Sequence, residues 1–184
     1  MATDSALGPI LLAQARAAIA STLGLAAGEA GDHPALHEPG ASFVTLTREG
    51  QLRGCIGQLQ AIKALGADVA DNARAAAFRD PRFAPLTAEE WPEVRIEVSV
   101  LGPVSFVHCP TEEDCLRQLA PFEDGVILVS GSRRATFLPQ VWEQLPEPQD
   151  FIRQLLQKAG LPVALWPADM QLGRYHVTQY REAG

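Results

Sequence analysis

Cysteine is scarce in this chain: Cys55, Cys109 and Cys115 are the three among 184 residues. An odd count without a scaffold spacing excludes a disulfide-stapled secreted fold. Long apolar runs are missing too, since no stretch reaches the roughly 18 uninterrupted apolar residues of a membrane span. The apolar segment Ile10-Leu11-Leu12-Ala13 has no basic stretch ahead of it and runs on into alanine-rich helical periodicity, so a leader is not expected. Basic residues are outnumbered, 15 Lys and Arg against 22 Asp and Glu, for a net charge of −7. With the arginines scattered, that balance argues against binding to nucleic-acid backbones.

Several site signatures are absent as well. There is no Gly-x-x-x-x-Gly-Lys-Ser/Thr loop, no Gly-x-Gly-x-x-Gly turn, no Gly-x-Ser-x-Gly elbow and no His-Glu-x-x-His helix. Those absences remove the usual nucleotide, dinucleotide, serine-hydrolase and zinc-protease fingerprints. His33 and His37 flank Pro34 in a coil, and His108, Cys109 and Cys115 lack a usual zinc spacing, so neither group reads as a metal site. No cofactor is implied, and the expected home is a reducing cytoplasm.

What is present is the composition of an ordinary globule, 47% hydrophobic and 20% charged. The length suits a single domain over 1–184, or one with a small appended lobe, and suffices for a core without disulfides or structural metal. Helical spacing over 10–23 puts Leu12, Ala15, Ile19 and Leu23 on one stripe, and over 62–79 does the same for Leu65, Val69, Ala73 and Ala76. On that second helix Asp68, Asn72 and Arg79 fall one and two turns apart and are placed to line one side. Thr87-Ala88-Glu89-Glu90 and Thr111-Glu112-Glu113-Asp114 are capping boxes. Residues 94–100 alternate cleanly, with Arg95, Glu97 and Ser99 opposite four branched aliphatics. Residues 125–129 and 133–137 read as a hairpin, 145–149 as a Pro-rich linker, 151–159 as a helix capped by Asp150, and 173–181 as a closing strand. Helices and strands do not alternate strictly and most strand pairs are hairpins. The expected fold is therefore α+β, with a mainly antiparallel sheet flanked by helices.

The stretch with chemical content is Leu52-Arg53-Gly54-Cys55-Ile56-Gly57, which follows the alternating run 43–47 and a reversal at 48–51. As the second arm of a hairpin it points Arg53 and Cys55 one way and Leu52 and Ile56 into the core. The flanking glycines keep the surface low around the sulfur, so another backbone or a ligand can approach. A guanidinium beside a thiol favours the thiolate. The same pattern also fits a small inert cysteine in a strand. Arg79-Asp80-Pro81-Arg82, where prolines end the helix, is either self-paired surface charge or a rigid anion-recognising loop.

This hexapeptide resembles the signature of the AMMECR-one domain family, whose bacterial and archaeal members are called protein A of the AmmeMemoRadiSam system. Asp71-Asn72-Ala73, the run from Ala77 to Phe83, Pro85-Leu86-Thr87, Glu97 to Leu101 and Arg133 to Pro139 resemble further blocks in the same order. The resemblance implies a larger α+β lobe with a smaller subdomain, a cleft between the two, and the signature near it. It also implies a Memo-type protein and a radical-SAM protein as partners. Three spread-out cysteines do not form a radical-SAM cluster, so that chemistry would belong to a partner.

Two functions stand open. In one, Cys55 is a catalytic nucleophile with Arg53 as its stabiliser, acting on a small polar or anionic substrate. Gly54, Gly57, Asn72, Arg79, Asp80, Arg82, Glu97 and Arg134 then supply the substrate surroundings. Glu97 is a candidate base if it shares a face with Cys55; no histidine is forced near Cys55 by the sequence, and His176, on the closing strand, is the best choice among them. In the other, the hexapeptide is a non-catalytic docking or ligand surface for the partners.

Overall fold

The computed structural model describes residues 5–183. The chain forms two compact units, one running through Leu101 and resuming at Thr178, the other spanning Gly102–Val177. Among the described residues, four α-helices and three antiparallel sheets make it α+β. Among the described residues no helix is long and apolar enough to cross a membrane.

In the first unit, helix α1 (Leu7–Thr22) begins three residues before the predicted start, taking Pro9 into its first turn, where a missing N–H costs nothing. Its core face is Leu11, Ala15, Ala18 and Ile19, so the stripe is turned towards Leu11 and leaves Leu12 half-buried. The short strand β1 (Pro39–Gly40) leads into β2 (Ser42–Arg48) and β3 (Gln51–Gly57), the predicted hairpin. Glu49 and Gly50, with φ of 51° and 76°, make the left-handed two-residue turn whose twist suits antiparallel strands. Strand β4 (Lys63–Ala64) pairs with β1 and delivers the chain to α2 (Leu65–Phe78), whose stripe of Leu65, Val69, Ala73 and Ala76 is buried as its spacing predicts. Strand β5 (Val94–Leu101) buries Val94, Ile96 and Val98. Its partner β2 lies between β5 and β3. Helices α1 and α2 cover one face of this sheet, and the side chains between them form the first core.

In the second unit, β6 (Ser105–His108) is followed by α3 (Glu112–Gln118), capped by the Thr111 hydroxyl, which accepts the Asp114 N–H at 3.1 Å. Strands β7 (Gly125–Ser130) and β8 (Arg133–Phe137) form the predicted hairpin. Helix α4 (Pro148–Ala159) starts earlier than predicted, with Glu147 at the cap position and Asp150 in its first turn. Its stop is as expected, at Gly160 with φ 71°. The expected closing strand over 173–181 is two strands, β9 (Gln171–Tyr175) and β10 (Val177–Arg181). The alternation runs on through both, which hides the break. His176 leaves the ladder there and gives its carbonyl to the Gly102 N–H at 2.8 Å. Strand β9 joins β6 and β7, whereas β10 joins β5 in the first unit's sheet. The second core surrounds Trp142, stacked on Phe151 with ring centroids 3.7 Å apart.

One contact fixes the packing of α2 on its sheet. A Cβ built at Gly54 would lie 2.1 Å from the carbonyl oxygen of Ala76, so the helix backbone rests directly on the strand. Gly54→Ala should therefore lower the unfolding free energy by about 1–3 kcal/mol, since the obstacle is backbone and not a mobile side chain. An unchanged urea midpoint would show that α2 shifts at no cost.

Candidate functional site around Cys55

The hairpin does not present its residues in simple alternation. Leu46 lies opposite Gly54, but Thr47 lies opposite Leu52, so Arg53 is the extra residue of a β-bulge. The bulge reverses the facing of everything before it. Leu52 joins Thr45, Thr47 and Cys55 on the face away from the helices and is 43% exposed, contrary to the core position expected for it. Ile56, opposite Val44, does pack against the core.

Cys55 is half-buried, and its Sγ accepts the Thr45 hydroxyl at 3.3 Å. Its main chain is held at both ends by the turn that follows α2. The Asp80 carboxylate accepts the Cys55 N–H at 2.9 Å, and Arg82 Nη2 donates to the Cys55 carbonyl at 3.3 Å. Asp80 in turn accepts from Arg82 Nε at 3.0 Å, Arg82 Nη2 at 2.7 Å and the Arg82 backbone N–H at 3.1 Å. The Asp80 side chain is only 2% exposed, while that of Arg82 is 53% exposed. The Arg82 guanidinium holds the Asp80 carboxyl well below the usual carboxylate range, against the opposing effect of burial and with help from the two backbone N–H groups. Arg-Asp-Pro-Arg is thus a self-paired turn, but one that grips the cysteine strand.

Arg53 is occupied elsewhere. Its Nε and Nη2 make a two-pronged pair with Glu90, at 2.9 and 3.1 Å, and Nη2 also reaches the Ala84 carbonyl at 2.9 Å. Its Nη1 is buried with no acceptor among the described residues. The Arg53 guanidinium lies 5.8 Å from the centre of the Phe83 ring and that of Arg82 lies 5.5 Å from it, so Phe83 stands beside both cations. Arg53 holds Glu90 down to about 2, aided by the Thr87 N–H and hydroxyl. Thr87 and Glu90 bond reciprocally as the capping-box spacing predicts, but that spacing gives no sign that the same carboxylate also takes Arg53.

The remaining candidates divide. Asn72 is buried and donates to the Ser42 carbonyl at 3.1 Å, the Ser42 hydroxyl oxygen at 3.2 Å and Asp68 at 3.0 Å. The Ser42 hydroxyl donates to Asp68 at 2.7 Å, and Gln58 closes the group from the loop after β3. The i,i+4 spacing of Asp68 and Asn72 marks this pair, but their shared side faces the sheet and leaves Arg79 exposed beyond the helix end. Gly57 packs against Phe43, and a Cβ there would lie 2.3 Å from the ring. Thr45 pairs with Cys55 on one side and Glu97 on the other, so Glu97 does share the cysteine's face. It stands two strands away, about 10 Å, and is bound by Arg181. Arg134 and His176 belong to the second unit, Arg134 exposed on β8 and His176 facing Asp124 at 3.5 Å. Cys109 and Cys115 are buried in that unit's core, and burial pushes both thiols up. Among the described residues no group of three or more His, Cys, Asp or Glu is arranged to hold a metal ion.

Fold and site together define an α+β protein in which a bulged hairpin, braced by a helix and the turn after it, presents one half-buried thiol. The chain belongs to the AMMECR1 family, whose model matches residues 12–180. It is 36% identical over 142 residues to a Thermotoga maritima protein, covering 76% of each chain. It is 35% identical over 158 residues to a Saccharolobus islandicus protein, covering 82% of this chain and 70% of the relative. The crystal structure of an uncharacterised Pyrococcus horikoshii protein superposes with a TM-score of 0.83 at 32% identity, over 95% of this chain and 91% of that one.

The Glu90–Arg53 pair makes stability depend on acid. A carboxyl that titrates at 4.5 when free and about 2 when folded takes its proton first in the unfolded chain. Its contribution is therefore complete above 4.5 and lost as pH falls towards about 2. Glu90→Gln should cost about 1–3 kcal/mol at neutral pH and reduce the fall in stability across that window, read by denaturant titration at stepped pH. Equal acid slopes in the two proteins would show the pair to be thermodynamically silent.

Proposed function

We propose that Cys55 is the working group of this protein, a cysteine nucleophile acting on a small polar or anionic substrate in a system with Memo-type and radical-SAM partners. The observation that carries this reading is the way the thiol is held. A half-buried sulfur receives a hydroxyl donor from Thr45, while the Asp80–Arg82 pair fixes the strand on either side of it. A partly exposed thiol in a locked main chain beside a cation is the environment in which cysteines react. In this reading the cation next to Cys55 is Arg82, more than half exposed and open to an anionic group on the substrate. Arg53 is a positioning residue tied to Glu90. The three cysteines are free thiols, in keeping with a reducing cytoplasmic setting.

One observation favours the docking module as a second reading. Asp80 and Glu90 are both paired with arginines, and Glu97 with Arg181, so none of these three carboxylates stands ready to take the Cys55 proton. A thiol-dependent reaction would then take its base from the substrate or a partner. A docking surface needs no base.

Native-state labelling with iodoacetamide, read by peptide mass spectrometry, tests the first reading. Cys55 should be carbamidomethylated in the folded protein, and Cys109 and Cys115 only after denaturation. Cys55→Ser should remove the native label and any substrate turnover while leaving the melting temperature nearly unchanged. A Cys55 protected until denaturation would overturn the nucleophile. Capture of a Memo-type partner by the serine variant at undiminished strength, with no thiol reaction found, would favour the docking module.

A further inference from the structure

Arg134, a candidate site residue from the sequence, belongs to a strand of the second unit that the Cys55 reading does not use. Strand β8 is an edge of its sheet, with β7 on one side and no strand on the other. Its turn is the two residues Gly131 and Ser132, which makes Ser130 and Arg133 the closing pair. Such a turn hydrogen-bonds its flanking residues to each other, and bonded and unbonded pairs then alternate along the ladder. Arg133, Ala135 and Phe137 therefore bond to β7, while Arg134 and Thr136 turn their N–H and C=O groups outward. The Thr136 carbonyl bears this facing out, because it accepts Lys158 Nζ of α4 at 2.9 Å. The N–H and C=O of Arg134 and the N–H of Thr136 bond to no other segment among the described residues.

The side chains around that edge carry one sign of charge. Successive side chains of a strand point to opposite faces, so Arg133 and Arg134 flank the edge from its two sides. Arg133 Nη1 lies where a side chain at Gly160 would start, so this guanidinium rests at the C-terminal end of α4. Lys158 stands in the last turn of the same helix. All three cations are exposed, and none has a carboxylate within ion-pair distance among the described residues. The carboxylate at this end of the hairpin, Asp169, accepts the Ser130 hydroxyl at 2.6 Å instead. Charge on an edge strand guards against pairing with a second copy, since arginines would then face arginines. The same charges attract a strand that carries carboxylates.

We propose that the outer edge of β8 is a docking site for an extended acidic segment of a partner protein, which joins the sheet as a further strand. Main-chain bonds to Arg134 and Thr136 hold the segment. The residue paired with Arg134 shares that arginine's face, and its two neighbours fall on the face of Arg133 and Lys158. The site therefore selects a run of three acidic residues in an extended chain. The inference stands whether or not Cys55 is a nucleophile, since no residue is shared.

An acetylated and amidated heptapeptide, with three consecutive glutamates between β-branched residues, is titrated into the full chain labelled with nitrogen-15. The Arg134 and Thr136 amides should shift saturably and exchange with solvent more slowly, with a dissociation constant on the order of 0.1–1 mM. Arg133→Glu and Arg134→Glu should each weaken binding about threefold, and together about tenfold. Both positions are exposed, so the variants should keep the melting temperature. One control peptide carries lysines in place of the glutamates. Another carries proline at its centre, which removes the N–H that the Arg134 carbonyl receives. Neither control should give a saturable shift. No saturable shift with the acidic peptide, or equal binding by either control, would overturn the docking site. So would sedimentation showing a dimer that Arg134→Glu abolishes, because the occupant would then be a second copy of the chain.

Discussion

The first unit depends on one close approach, the Ala76 carbonyl of α2 lying where any side chain at position 54 would have to be. Once the helix sits that low on β3, the rest of its polar face has a fixed reach. Asp68 and Asn72, at successive turns, meet the Ser42 hydroxyl and carbonyl on β2 and tie the helix to the sheet. The residues that follow the helix then start beside β3. That is why Asp80, two residues past the last helical position, can take the N–H of Cys55. A helix held further off by even one methyl group would carry Asp80 out of range.

The second constraint is electrostatic. Putting an aspartate at 2% exposure is costly unless every oxygen is paired. Asp80 meets that condition with one long side chain and two backbone N–H groups, all supplied within a three-residue turn and the adjacent strand. Arg82 stays more than half exposed while pairing with it, so its charge is anchored without being desolvated. Arg53 shows the opposite arrangement: it is largely covered and bonded to Glu90 and Ala84, so its charge serves the loop that follows Arg82. The two arginines of this site therefore do different things. One positions the loop, and the other leaves a half-exposed cation bonded to the Cys55 carbonyl.

Much of this was legible in the residues. The hairpin, the α2 stripe, both capping boxes and the alternation of β5 follow from spacing alone, because each is a local pattern with a period that only one secondary structure satisfies. The bulge at Arg53 was not legible. It inserts one residue without altering the composition of the strand, and a shift of one residue exchanges the two faces of everything on its near side. For that reason Leu52 faces away from the core that strict alternation assigns it, and the Arg53 fork goes to Glu90 and not to Cys55. The break at His176 escaped in the same way, since alternation continues across a strand that changes sheets. Asn72 and Asp68 were recognised as a pair, but polar residues on a helix read as solvent-facing unless the partner that buries them is known, and Ser42 is 30 positions from Asn72 and carries no signal of its own.

The two units treat their buried charges differently. In the first, Asp68, Asp80 and Glu90 each end in a set of donors that face them directly, and the groups they hold are strands, loops and caps. In the second, Asp124 receives one backbone N–H and faces two side chains at 3.5 and 3.9 Å, distances that orient without saturating. The same comparison sets the standard for Cys55. Its main chain is held as tightly as any cap, while its half-buried sulfur takes the Thr45 hydroxyl.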